Sequence, residues 1–215
     1  MKRTIAAFLT ILLLFALCGS AFAEGLTFSD VPHGAWYEQA VYWAVQKNIT
    51  AGVGNGRFGP GQKVSRAQVV TMLWRLDGSK SNNGESGFSD VPAGRWYSKA
   101  VTWAVQNQIV AGYSSKVFGP GNNITRQDLV TILYRYAAYK NMSTSARADL
   151  SGYSDVGSIS GYAVEPMRWA VASGIVSGTG AATLSPKRTA TRAQLVQMLY
   201  KWLGPSDYEL PFIPN

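Results

Sequence analysis

Three arginines hold the same place in three similar stretches: Arg66 follows Ser65, Arg126 follows Thr125 and Arg192 follows Thr191. Three residues after each hydroxyl stands a side chain able to reach back, Gln68, Asp128 and Gln194 respectively. This is the capping-box arrangement or its Asp variant, and it predicts a helix starting at each arginine. A guanidinium fork in that position, beside free backbone N–H groups and the positive helix end, is suited to holding one carboxylate. Asp30, Asp90 and Asp155 recur in step with the arginines. They offer a second reading, in which each Arg pairs with an Asp and ties a loop to the helix start. The two roles are compatible and both stay open at this level.

Other chemistries find less to work with. Cleaving a glycosidic bond needs two carboxylates placed across it, but the three aspartates come in triplicate with no unique acidic partner at matching spacing. His33 is the only histidine and falls in a turn, so neither a Ser-His pair nor a two-histidine metal site can be assembled. Gly54-x-Gly56-x-x-Gly59 spells the dinucleotide fingerprint, yet it follows a predicted helix instead of a strand and reads as turn chemistry. Asn48, Asn123 and Asn141 open N-glycosylation patterns that carry little weight, since Thr125 already serves as a cap. The expectation is a protein that is not an enzyme and needs no cofactor or metal.

The elements that must carry these residues come as a repeat. FGPGQKVSRAQVVTMLWRL from Phe58 returns as FGPGNNITRQDLVTILYRY from Phe118 and, altered, as LSPKRTATRAQLVQMLYKW from Leu184. Ahead of each lies a first half: FSDVPHGAWYEQAVYWAVQKNITAG from Phe28, a close copy from Phe88, and a third from Tyr153 with one extra residue before Tyr162. Ala40, Val41, Ala44 and Val45 recur as Ala100, Val101, Ala104 and Val105, the spacing of a helix's buried stripe, and a second stripe runs through Val69, Val70 and Leu73. Each unit therefore reads as helix, Gly-rich loop, helix. One such pair buries too little to be stable alone, so the copies should pack together. Gly52, Gly112 and Gly178 are expected near the first helix's end, supplying a positive φ or letting the backbone pass close to a neighbour. The stretches from Asp77 and from Lys140 to Ser151 read as exposed connections, and the tail from Gly204 as too short for an effector domain.

Lys2 and Arg3, an apolar run from Ile5 to Leu17 and Ala21-Phe22-Ala23 read as an export signal. Residues 1–23 are thus expected to be removed, the alternative of a retained anchor being disfavoured by a run shorter than the ~20 residues of a span. Cys18, the only cysteine, leaves with that segment, and Leu17 before it argues against lipidation. Loss of Lys2 and Arg3 takes the net charge of +8 down by two. The remaining excess suits an anionic partner, which for an exported chain is an envelope polymer before nucleic acid; solubility alone is the other account of it.

FSDVPxGxWY, a helix, an I-x-x-G turn, F-x-P and then Ser or Thr with Arg together resemble the S-layer homology domain. Three copies, over residues 24–84, 85–148 and 149–212, cover nearly all of the chain after the signal. The resemblance implies a mainly α fold, with the helix-loop-helix repeats packed as a pseudo-threefold, three-pronged spindle. It also implies grooves between repeats that hold secondary cell wall polysaccharide, often through a pyruvylated terminal sugar. Carried onto this sequence, Arg66, Arg126 and Arg192, with the caps Ser65, Thr125 and Thr191, would meet the carboxylate. Trp36 and Trp96, with Tyr162 in the third copy, would be platforms for the sugar ring or, alternatively, core wedges; Trp43, Trp103 and Trp169 are expected in the core. The third copy departs from the pattern: Ser185 and Lys187 replace Gly59 and Gly61, Ala190 replaces Val64, and one or two working grooves are expected instead of three. The resulting expectation is a secreted, non-catalytic anchor attached to the cell wall through a carboxylate-bearing polysaccharide. Alternatives are a structural surface-layer or scaffold protein that recruits a protein partner, and attachment to peptidoglycan in a diderm envelope.

Overall fold

The second helix of each unit starts at its hydroxyl cap. In the computed structural model, which describes residues 27–80 and 84–207, Ser65 and Thr191 accept from the N–H groups of Gln68 and Gln194. Both Gln side chains return the bond, completing capping boxes. Thr125 caps Asp128 N–H and donates its own proton to the Asp128 carboxylate at 2.6 Å. Among the described residues the α-helices are α1 (Glu38–Gln46), α2 (Arg66–Leu76), α3 (Ser98–Gln106), α4 (Arg126–Tyr139), α5 (Val164–Ala172) and α6 (Arg192–Leu203). Two short 3-10 turns, Val156–Ser158 and Gly161–Ala163, lead into α5 and absorb the extra residue of the third copy. The fold is the expected one of three helix-loop-helix repeats. The expected signal, residues 1–23, lies outside the described residues.

Each first helix packs on the second helix of the preceding repeat: α3 on α2, α5 on α4 and, closing the circle, α1 on α6. Trp43, Trp103 and Trp169 are buried at these junctions, as their place in the apolar stripe requires. Trp43 meets Tyr200 edge-on at 5.7 Å, and Trp169 stands between Tyr134 at 5.5 Å and Trp202 at 5.4 Å. Truncating a buried Trp of this kind typically costs ~3–5 kcal/mol.

The centre is a ring of backbone hydrogen bonds. Val64 N–H donates to Ala190 O (3.1 Å), Ala190 N–H to Ile124 O (2.9 Å) and Ile124 N–H to Val64 O (3.0 Å). All three side chains are buried. Beside the ring, each second helix docks its start on the next repeat's loop: Arg66 and Ala67 N–H donate to Asn122 and Pro120 O, Arg126 and Gln127 N–H to Arg188 and Pro186 O, and Arg192 and Ala193 N–H to Gln62 and Pro60 O. These equivalent contacts give the molecule its pseudo-threefold relation.

The structure decides between two local alternatives and corrects a third expectation. The first helices end before Gly52 and Gly112, and the left-handed residues behind them are Asn48, Gln108 and, in the third repeat, Gly174. Of the two roles expected of the glycines, Gly52 and Gly112 take close approach, a Cβ at Gly52 lying 2.6 Å from Arg57 O and one at Gly112 2.4 Å from the Phe88 ring, while Gly178 takes the positive φ of 96°. The connections are not wholly exposed either. Asp77 is buried, taking hydrogen bonds from Lys140 Nζ (2.7 Å) and Tyr139 O–H (3.0 Å), and Leu150 is buried as well. Asp77 thereby joins the C-terminal ends of α2 and α4, a role that a run of Gly, Ser and Asn behind it disguises.

Candidate functional site

The three aspartates and three arginines hold the same peptides from opposite sides. Asp30 accepts from Phe58 and Gly59 N–H at 2.7 and 2.9 Å, Asp90 from Phe118 and Gly119 N–H, and Asp155 from Leu184 and Ser185 N–H. The carbonyl of the same residue accepts from an arginine of the preceding repeat: Phe58 O from Arg192 Nε (3.1 Å), Phe118 O from Arg66 Nε (3.0 Å) and Leu184 O from Arg126 Nε (2.9 Å). The expected direct Arg–Asp pairs therefore do not form. Each Asp holds a loop of its own repeat, and each Arg reaches the loop of the next. Ser185 takes the positive φ that Gly59 and Gly119 hold in the other copies, so the loop keeps its path in the altered repeat.

The helix starts are not free to capture an anion through their backbone. Their first two N–H groups already meet the neighbouring loop and the third is capped by Ser65, Thr125 or Thr191. What is left for a ligand is the guanidinium. Here the three arginines differ. Arg66 gives a second bond to Ala111 O (2.8 Å) and lies 4.6 Å under the ring of Tyr113; Arg192 gives a second bond to Ala51 O (2.8 Å). The terminal nitrogens of Arg126 have no partner among the described residues. Burial lowers the pKa of each: Tyr113 and Asp128 oppose the shift at Arg66 and Asp30 opposes it at Arg192, whereas at Arg126 neighbouring Arg188 adds to it and Asp155 opposes it. All remain cations, as arginine does in proteins.

Arg126 faces a cleft of about 510 Å³ assembled from all three repeats. Trp36 comes from the first and Arg126 from the second; Arg188, Gln194, Met198 and Lys201 from the third form the wall. No carboxylate lines it. Trp36 is 61% exposed, as is Trp96, so neither is a core wedge. The corresponding place on α4 is occupied by the protein itself. Tyr162 donates to the Asp128 carboxylate and accepts from Gln127 Nε2 (2.9 Å), while Lys187 Nζ meets Ser160 Oγ (2.5 Å). Burial, followed by the bond to Asp128, raises the Tyr162 pKa. Arg66, Arg192, Trp96, Tyr162 and the three aspartates do not line the Trp36 cleft.

Arg188 and Lys201 carry different degrees of sequence signal. Lys201 stands nine residues after its arginine, as do Arg75 and Arg135, so a basic position recurs on every second helix. Arg188 stands where the other copies have Gln62 and Asn122, and nothing in the repeat announces it. Among the described residues no cluster of His, Cys, Asp and Glu is suited to a metal ion.

Three helix-loop-helix units, closed head to tail around clefts that draw residues from neighbouring repeats, define a tandem-repeat helical module with its candidate site at the joints. The S-layer homology domain model matches residues 27–70, 87–130 and 152–196, more than half of the chain, and the chain belongs to that family. It is 30% identical over 87% of its length to an amylopullulanase of Thermoanaerobacterium thermosulfurigenes. It is also 29% identical over 72% of its length to the surface-layer 125 kDa protein of Lysinibacillus sphaericus, and 26% over 93% to an S-layer protein of Bacillus thuringiensis subsp. finitimus. The chain spans 10% of the first of these relatives, 13% of the second and 24% of the third. Relatives that are enzymes and relatives that are surface-layer proteins thus share this one portion, a cell-surface anchoring or surface-layer module.

Proposed function

We propose that this protein is a secreted, non-catalytic anchor that fastens to the cell wall by holding a carboxylate-bearing secondary polysaccharide in the Trp36 cleft. The observation that carries this reading is the cleft's composition: three cations, Arg126, Arg188 and Lys201, converge beside an exposed indole with no carboxylate in the lining. The open edge of the Arg126 guanidinium takes the carboxylate of an acidic substituent such as a pyruvate ketal. Arg188 and Lys201 enrich the local concentration of the polyanion, and Trp36 offers its face to the C–H groups of the ring. Binding needs no reaction. The joint at Arg66 is structural in this reading, since Tyr113 covers the guanidinium and the Tyr162–Asp128 contact fills the place on α4. Among the described residues no helix is long and apolar enough to cross a membrane.

The test is sedimentation of the chain from Glu24 with purified walls, before and after chemical stripping of the secondary polysaccharide. Binding to intact walls that disappears on stripping is the expected result. Retention on stripped walls would move the protein to the surface-layer or scaffold class, with a protein or peptidoglycan contact in place of the polysaccharide.

A further inference from the structure

The run Gly54-Asn55-Gly56, which matches a nucleotide loop only in its letters, carries another chemistry. It forms the tip of the first repeat's loop, with φ values of 98°, 50° and 63° in succession. Val53 N–H to Arg57 O (2.8 Å) and Arg57 N–H to Gly54 O (3.1 Å) close the turn, and Ser29 N–H holds Gly56 O (2.9 Å). Residues 51–57 are all exposed. Neither the Asn55 carboxamide nor the Gly56 N–H has a hydrogen-bond partner among the described residues. The matching tips of the other repeats are Ser115-Lys116 and Ala181-Ala182, so an Asn followed by Gly belongs to the first tip alone.

An Asn before a Gly can react with its own backbone. The Gly56 nitrogen, having given its proton to hydroxide, attacks Cγ of Asn55. A C–N bond forms, the bond from Cγ to the side-chain nitrogen breaks, and that nitrogen takes a proton from water and leaves as ammonia. The product is a five-membered succinimide. Water then adds to one of its two carbonyl carbons and opens the ring, to aspartate or, with the main chain passing through Cβ, to isoaspartate. Nothing is oxidised or reduced, and solvent water is the co-reactant. A side chain on the following residue, a bonded N–H or a carboxamide held elsewhere would each block the first step, and none of the three applies here. A Cβ built on Gly56 would meet nothing within 4 Å, so the approach to its nitrogen is open. Asn55 must leave its left-handed conformation to bring Cγ to that nitrogen. The two bonds across the exposed turn resist this, and their opening is local to the tip.

We infer that Asn55 is a site of spontaneous covalent modification in the folded protein, passing to aspartate and isoaspartate. None of these residues lines the Trp36 cleft, and the site is independent of wall attachment there. Conversion places a new carboxylate beside Arg57, whose Nε lies 3.4 Å from Asp30 Oδ2, in competition with the aspartate that holds the Phe58 and Gly59 N–H groups. Isoaspartate also lengthens the main chain by a carbon where there is no slack: a Cβ at Gly52 would already lie 2.6 Å from Arg57 O. The aged chain is more acidic and looser at its first loop.

The test holds the chain from Glu24 at mildly alkaline pH, one portion folded and one in urea, and maps the digested peptides by mass spectrometry, with isoaspartate read by enzymatic methylation. In the folded portion the peptide carrying Asn55 is expected to gain the mass of an amide-to-acid change, faster at higher pH. Its rate should trail that of the unfolded portion by no more than about thirtyfold, the factor that two hydrogen bonds of ordinary net strength impose. Asn55→Gly, which keeps a left-handed turn without strain, should leave that peptide unchanged. Conversion confined to the urea portion overturns the site. So does conversion in the folded chain at Asn83-Gly84 alone, a second such pair whose Asn lies outside the described residues and falls in a separate peptide. The isoaspartate fraction, separated by ion exchange, should unfold at a lower urea midpoint than the fresh chain, with Asn55→Asp, which adds the charge without the extra carbon, between them. An isoaspartate fraction as stable as the fresh chain overturns the loosening.

Discussion

Three arginines that look equivalent in sequence separate into two kinds once their terminal nitrogens are followed. Arg66→Ala and Arg192→Ala each strip two donors from loop carbonyls, of which the buried one, Phe118 O or Phe58 O, costs ~1–3 kcal/mol when left unmet, while the other, Ala111 O or Ala51 O, lies at an exposed residue. Both are expected to lower the urea midpoint clearly and to affect wall binding mainly through that loss. Arg126→Ala removes one such bond but also the open edge of the cleft, so its wall affinity should fall at least tenfold at a smaller cost in stability. Sedimentation and urea denaturation on the same three proteins would tell; equal losses of binding in all three would contradict the distinction. Arg188→Ala and Lys201→Ala should weaken wall binding more at low salt than at high, since their charges act through the field in an open cleft. At this scale the sequence singles out Trp36 and Arg126, which line the cleft, because they repeat. It could not show that they come from different repeats, because spacing along the chain says nothing about which copy docks on which. Arg188 was illegible for the opposite reason: it lines the cleft and has no counterpart in the other copies.

Between elements, Asp77 has the most to say about pH. Burial alone would raise its pKa, but hydrogen bonds from Lys140, Lys80 and Tyr139 outweigh that and hold the carboxyl below the ordinary value of 3.8. A carboxyl lowered by folding stabilises the native state above its unfolded pKa and loses that contribution as pH falls through the folded value. Stability against urea should therefore hold from neutral pH to about pH 4 and drop below it. Asp77→Asn should cost ~1–3 kcal/mol at neutral pH and flatten the acid limb. An unchanged acid limb in that variant would place the dependence elsewhere, on Asp30 for example, whose carboxyl the Phe58 and Gly59 N–H groups and Arg57 lower against the cost of burial. A second local change runs the other way. Ala182 sits at φ 50°, exposed, with no side-chain group to compensate, and Ala182→Gly should stabilise by up to ~1 kcal/mol in thermal denaturation. Helix starts were legible because Ser65, Thr125 and Thr191 announce them. Helix ends were not: Asn48 and Gln108 take the left-handed turn without a glycine to mark it, and the glycines that look like stops are there for close packing.

The fold class and the repeat were legible in the whole chain, but not the order of packing. The stripes of α1, α3 and α5 are too alike to name their partners, and the sequence of contacts is set by the hydrogen-bond ring at Val64, Ile124 and Ala190 together with the bonds from each second helix's start to the next loop. Since each repeat supplies a partner to both others, unfolding of the chain from Glu24 should be a single transition by fluorescence and circular dichroism alike. A chain ending at Asn141 should lack a cooperative transition, having lost the loop on which α4 docks and the helix under α1. The ring also bears on how such a protein can change length. In an open stack of repeats a further unit can be added at either end, because the end units present the same face as every other. Here no end is vacant: the start of α6 is seated on the loop of the first repeat, and α1 lies on α6. A fourth unit could enter only by breaking one of the three joints, so new material has to be appended outside the ring, and three is a number set by closure.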